Sequence, residues 1–246
     1  MIITMKYLTL LTLLFFACSP EKPLDASGII AEAIKAHGLD QITNKKIDFD
    51  FRDKHYSVLR ENDKYTYTRS FQDSLGYVED ILVNSSEFTR LVDGTELQTD
   101  SVWTGKYSSS VNSVLYFIQL PLTLTDPAAM KNYKGISKIR GKEYHLIEIR
   151  FTEEDGGEDF EDVFLYWFDA TTFSMDYLAY SYITDGGGVR FREAFNKSEV
   201  GGVVFQDYIN YKPEEKLTPI EEMSTLFEKG ELIELSRIEN INIKVK

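Results

Sequence analysis

Cysteine occurs once in 246 residues, tryptophan twice, histidine three times and proline six times. One cysteine, Cys18, excludes an internal disulfide framework and a thiolate metal site. The three histidines, His37, His55 and His145, form no HExxH motif and no other close ligand pair. Their ordinary readings are a helix-end residue for His37 and surface or packing residues for the other two. There is no apolar run of about twenty residues, the length a membrane-spanning helix needs. Positive charge is also short: 27 Lys and Arg stand against 40 Asp and Glu, for a net charge of −13. Such a chain repels nucleic acid and anionic lipid surfaces, so neither is an expected partner. Motifs for chemistry are missing as well, with no GxSxG elbow, SxxK, GxGxxG or P-loop lysine.

What is present begins at the N-terminus. Lys6 is followed by the apolar run 7–16, then by Ala17 and Cys18. A short basic region and an apolar stretch of this length make a signal peptide over 1–17. Leu14-Phe15-Phe16-Ala17-Cys18 resembles the lipobox of bacterial lipoproteins, with Phe15 where leucine is usual. The expectation is a diacylglycerol thioether on Cys18, a tether over 18–24, and one domain over 25–246. The alternative is an ordinary cleaved signal that leaves Cys18 without a role.

The body is rich in Phe (16) and Tyr (15), which favour strands. Residues 25–38 form one helix by pattern: Asp25 or Ser27 can cap it, Ile29, Ile30, Ala33 and Ile34 share a face, and Gly38 stops it. Period-two alternation follows at 47–52 and strand-like texture at 65–67 and 77–83, and Asp93-Gly94 marks a hairpin between 88–92 and 96–99. A second helix is read from caps at Ser108–Ser110 through Val111, Val114, Leu115 and Ile118 to Pro121. Strands return at 135–139, 144–151, 163–168, 175–183, 189–195 and 203–211, separated by glycine-rich turns. Thr218-Pro219-Ile220-Glu221 reads as a capping box for a last helix closed by Gly230, and 238–245 as a last strand. The fold class is therefore α+β: a single domain with an antiparallel meander and a few helices packed on one face.

Ala33-Ile34-Lys35-Ala36-His37-Gly38 before an alternating strand resembles the start of LolA/LolB-like envelope lipoproteins. Residues 47–58, 111–117, 159–163 and 184–193 are similar to a family of envelope lipoproteins of that general kind, one to which no activity attaches. The resemblance implies a curved, unclosed antiparallel half-barrel with helices on its concave side. It also implies a lipid-like or other hydrophobic ligand, or a lipidated partner, held in the concavity without chemistry, and an outer-membrane address in the cell envelope.

Candidate sites are few. The most unusual local sequence is Asp185-Gly186-Gly187-Gly188-Val189-Arg190-Phe191-Arg192. Three glycines let backbone approach a ligand, and Arg190 and Arg192 share one strand face, where they can clamp a carboxylate or phosphate. Its plainer reading is a hairpin whose arginines pair with neighbouring acids. Tyr180 and Tyr182 lie on a strand apolar on both faces, one of which can line a pocket with hydroxyls at the rim. The acidic run 153–162 surrounds a glycine turn with oxygen ligands of the kind calcium takes, but the spacing is not that of an EF-hand and solvated turns commonly look so. No cofactor is expected, and no feature of the chain fixes an oligomeric state. Two other functions stand beside ligand carriage: an interaction lipoprotein with a filled sheet, and a carboxylate-dependent hydrolase.

Overall fold

The computed structural model describes residues 24–61, 64–152 and 161–246. The segment 1–17, Cys18 and most of the tether lie outside the described residues, as do residues 153–160 of the acidic run. The first helix, α1 (Ala26–Ala36), is capped by Asp25, whose carboxylate accepts from Gly28 N at 2.9 Å. Its expected stripe of Ile29, Ile30, Ala33 and Ile34 is buried. Gly38 ends it in the left-handed region (φ 66°), where a Cβ would lie 1.9 Å from the carbonyl oxygen of Gly202. Only glycine fits that approach.

A meander follows: β1 (Lys46–Phe51), β2 (Lys54–Glu61), β3 (Lys64–Asp73), β4 (Gly76–Val83), β5 (Glu87–Val92) and the two-residue β6 (Thr95–Glu96). Asp93 and Gly94 both take positive φ in the β5–β6 turn, the conformation their sequence favours. The second helix, α2 (Ser101–Ile118), starts seven residues before the first of the serines expected to cap it. Asp100 caps it instead, accepting from Trp103 N at 2.9 Å, while Ser108 bonds back to Gly105 O within the helix. The early turns were hidden because Gly105 and the serines are weak helix formers and only Val111 and Leu115 are fully buried.

The second half runs β7 (Ala129–Ile139), β8 (Lys142–Phe151), β9 (Val163–Asp169), β10 (Met175–Tyr182), β11 (Gly188–Val200), β12 (Val203–Lys212), α3 (Met223–Lys229), β13 (Ile233–Ile238) and β14 (Asn240–Val245). The expected capping box does not form. Pro219 stays extended, Thr218 donates to Glu215 O, and a 3-10 turn at Ile220–Glu222 leads into α3. The expected last strand, 238–245, is β14, and β13, which was not expected, precedes it with a division at Glu239. That break organises the molecule. β13 pairs with β12 and ends the order β13-β12-β11-β10-β9-β8-β7; β14 pairs with β1 and ends the order β14-β1-β2-β3-β4-β5-β6. Asp207 holds the corner by accepting from Asn240 N at 2.9 Å. Two curved, unclosed antiparallel sheets thus meet where the chain passes from β13 to β14, and among the described residues β6 and β7 end them on the far sides.

The concave face carries the main core, with α1 and α2 packed into it. β9 is buried along its whole length: Phe164, Tyr166 and Phe168 point inward, while Val163, Leu165 and Trp167 point outward. The outward set has its own cover. Ile220, Met223 and Phe227 close over it, with the Phe227 ring 4.7 Å from Phe191 and 5.5 Å from Tyr177. The two long helices therefore share the concave face, and the short α3 seals part of the convex one.

Candidate functional site

Two recesses lie near the predicted residues. One, about 480 Å³, opens at the rim where the β10–β11 turn meets the segment before α3. Tyr182, Gly186, Gly187 and Gly188 border it, with Lys216 and the strongly exposed Leu217 opposite. The other, about 330 Å³, is the more enclosed and lies inside the concavity between the C-terminal half of α2 and the second sheet. Phe51, Val114, Phe117, Ile118 and Ile238 make its apolar walls. Tyr180 and Arg192 stand at it, so six of the predicted residues divide between the two recesses, while Asp185 and Arg190 line neither. Asp185 belongs to the 3-10 turn Thr184–Gly186 that leads to the rim recess.

The floor of the inner cavity follows from strand register. Arg192 on β11 is directly opposite Asn210 on β12, and Asn210 is opposite Ser236 on β13. Ala194, Tyr208 and Ile238 form the next row across the same three strands. A polar row and an apolar row therefore lie side by side under α2. Asn210, Ser236 and Ile238 escape sequence reading because they share no local motif with Arg192; only the pairing of β11, β12 and β13 unites them. The signal that was available is the shared strand face of Arg190 and Arg192.

The arginines do not pair with neighbouring acids as the plainer sequence reading had it. Arg192 lies over the rings of Phe117 (4.2 Å) and Tyr180 (5.1 Å), and its Nη2 donates to the Tyr180 hydroxyl at 3.1 Å. Arg190 lies over Tyr182 at 5.1 Å and donates to the Val189 carbonyl. Among the described residues neither makes an ion pair. Arg192 Nε and Asn210 Oδ1 are shielded from solvent without a hydrogen-bond partner, whereas Asn210 Nδ2 donates to Ser236 Oγ at 3.3 Å. Burial raises the phenol of Tyr208 to about 12, and Tyr166 also lies well above the ordinary range because of burial. Both are neutral hydroxyls at any physiological pH, so the charged side chains at this cavity, among the described residues, are Arg192 and Arg52.

The other side of α2 is different. Arg69 and Arg90 both bond Asp80, with Arg69 Nη2 and Arg90 Nε each 2.6 Å from a carboxylate oxygen, and all three residues are buried. Arg69 Nη1 continues to Ser110 Oγ at 2.7 Å, and Arg90 lies 3.3 Å over the ring of Tyr107. Near the helix C-terminus, Arg60 bonds Gln119, which in turn donates to the Tyr67 hydroxyl at 2.9 Å. These contacts fasten α2 to the first sheet.

The histidines lie apart from the cavity. His37 stands at the end of α1 as its C-cap, as expected, but not as a cation. It is buried, its Nε2 accepts from Met175 N at 3.1 Å, and burial followed by the nearby Lys197 lowers its pKa to about 4. His145 bonds the Tyr133 hydroxyl and is lowered by burial, and His55 bonds Asp50 at 2.7 Å. Among the described residues no group of three His, Cys, Asp or Glu is placed to hold a metal ion.

Comparison with known proteins agrees with this architecture. No curated protein matches the chain. Among solved structures it is similar to a LolA superfamily protein of Nitrosomonas europaea, with 13% identity, a TM-score of 0.51, and coverage of 90% of this chain and 93% of that one. A DUF1329 family protein of Desulfovibrio piger aligns at 10% identity and a TM-score of 0.44 over 89% of this chain and 92% of that one. Lipoprotein LppX of Mycobacterium tuberculosis aligns at 9% identity and a TM-score of 0.28 over 65% of this chain and 90% of that one. The model of a family of unknown function, DUF6503, matches residues 5–240. The chain belongs to the DUF6503 family, and its fold is that of the LolA superfamily.

Proposed function

We propose that this protein is a non-enzymatic lipoprotein of the cell envelope, held to the outer membrane by lipid on Cys18, that carries a hydrophobic ligand or a lipidated partner in the concavity under α2. Residues 1–17 serve as the signal, 18–24 as the tether, and 25–246 as the carrier domain. One observation carries the reading: the helices do not pack flush on the sheet, and a cavity of about 330 Å³ with walls of Phe51, Val114, Phe117, Ile118 and Ile238 remains between them. Apolar recesses of a few hundred Å³ with a few placed polar groups are the common form of small-molecule sites. The LolA-type fold supports the same reading through its concavity.

A filled interaction module would need that space closed. A carboxylate hydrolase would need an acid with a raised pKa in a cleft. Among the described residues the shifted carboxylates go the other way. Asp169, for example, is pulled upward by burial, yet hydrogen bonds from Lys142, Thr172 and Thr171 bring it down to about 2.

Native mass spectrometry of the protein taken from envelope extract tests carriage. A bound mass of lipid size is expected, and bare protein under gentle conditions contradicts it. The anchor is tested separately: Cys18→Ser leaves the domain folded but releases it from membranes, and unchanged membrane retention contradicts the assignment.

A further inference from the structure

The geometry points to the class of ligand: a single-chain amphiphile with an anionic head, its chain in the cavity under α2 and its head on Arg192. This rests on the carriage reading and adds to it the charge, the size and the residue that selects both.

The charge follows from what surrounds Arg192. A guanidinium does not lose its proton, so burial cannot neutralise it as burial neutralises His37. Its partners here are two aromatic rings and one phenol, none of which carries negative charge. Among the described residues the cavity lining contains no Asp or Glu, although acids outnumber bases 40 to 27 in the chain. A second arginine, Arg52, stands at the same cavity. The pocket is therefore a local inversion of the protein's charge.

The polar row supplies the rest of the head-group site. Arg192 Nε is a donor without an acceptor. Asn210, its cross-strand neighbour, also lines the cavity, and its Oδ1 is unpaired while Nδ2 is held by Ser236. A half-turn of the amide exchanges the two atoms, lets Ser236 donate to Oδ1, and puts an N–H donor where the unpaired oxygen stands. Two donors at neighbouring sheet positions suit the two oxygens of a carboxylate or phosphate. Beside them, Tyr208, Ile238 and Phe117 continue as the surface for a chain.

The size follows from the volume. About 330 Å³ holds on the order of ten methylene-sized groups at roughly 30 Å³ each. That is one chain of medium length, and too little for a diacyl or triacyl lipid buried whole.

The test is calorimetric titration of the full chain carrying Cys18→Ser, so that no acyl anchor competes, with sodium decanoate, 1-decanol and sodium acetate below any micellar concentration. Decanoate is expected to bind about tenfold or more tightly than decanol, as a charge-assisted hydrogen bond implies, and acetate far more weakly than either. In Arg192→Met the decanoate preference falls to about one while decanol binding stays, and Arg192→Lys retains part of the preference. Equal binding of decanoate and decanol by the unaltered cavity overturns the anionic head and leaves carriage standing. An unchanged preference in Arg192→Met overturns the role of Arg192. Acetate as tight as decanoate overturns the amphiphile, and failure of both ten-carbon probes overturns carriage in this cavity together with the inference.

Discussion

Arg60, Arg69, Arg90 and Arg192 all approach α2, and they are treated in two ways. Toward the first sheet, Arg69 and Arg90 share Asp80, and Arg60 is held by Gln119. Toward the second sheet, Arg192 has rings and a phenol but no counter-charge among the described residues. The first arrangement is closed: donors and acceptors meet, and side chains of the helix, Ser110 and Tyr107, complete it. Against the pull of its own burial, Arg90 is held above its ordinary pKa by Asp80. The second arrangement is open and faces a cavity. Buried charge without a partner costs free energy, and proteins keep such groups chiefly where something binds. One helix thus has a fastened side and an open side.

The largest effect is expected from opening the closed side. Asp80 is fully buried, and Asp80→Ala leaves two buried guanidinium groups facing each other. A loss of about 3–5 kcal/mol in urea unfolding is expected, the usual cost of removing one partner from a buried ion pair. A loss below about 1 kcal/mol would mean that the Arg69–Asp80–Arg90 cluster does not hold α2.

His37 sharpens the comparison, because it is a buried base that can discharge. Its folded pKa of about 4 lies below the ordinary 6.5. The unfolded chain therefore binds more protons between these values, and stability falls as pH drops through that window. The loss accumulates below about pH 6.5 and is complete near pH 4, amounting to roughly 3 kcal/mol at about 1.4 kcal/mol per pKa unit. In His37→Gln that component of the acid dependence should vanish from an unfolding series across pH 4–7. A curve parallel to the parent's would contradict the burial of a neutral imidazole.

The smallest stability effect belongs to the open side. Arg192→Met removes no ion pair and replaces a partly buried cation by an apolar chain of similar length. Its unfolding free energy should stay within about 1 kcal/mol of the parent's. A loss as large as that of Asp80→Ala would place Arg192 with the structural arginines and erase the distinction between the two sides.

Much of this fold was legible in the chain because local chemistry and global position agree. Asp25 and Gly38 bracket α1, Asp93-Gly94 turns β5 into β6, and alternation marks the first strands. The curved, unclosed sheet was legible through resemblance. Where reading failed, tertiary contacts outweighed local pattern. The early turns of α2 are held by Asp100 and by Arg69, Arg90 and their ring and hydroxyl contacts, not by a strong apolar stripe. The division at Glu239 has no glycine or proline to announce it; it is fixed by Asp207 accepting from Asn240 N, more than thirty residues away in sequence. The candidate site was half legible. Arg192 was singled out by strand phase and Tyr180 by a strand apolar on both faces, but Tyr182 and the glycines face a different recess, and Asn210 and Ser236 join Arg192 only through register.

Position is what the account claims most specifically, so a photoreactive decanoate with a diazirine in its chain tests it most directly. After illumination and peptide mapping, crosslinks are expected on the C-terminal half of α2 around Phe117 and on β12 and β13 around Tyr208 and Ile238, with competition by unlabelled decanoate. Labelling concentrated instead at the rim, on residues 181–189 and 216–220, or spread over the surface without competition, would contradict a ligand seated beneath α2.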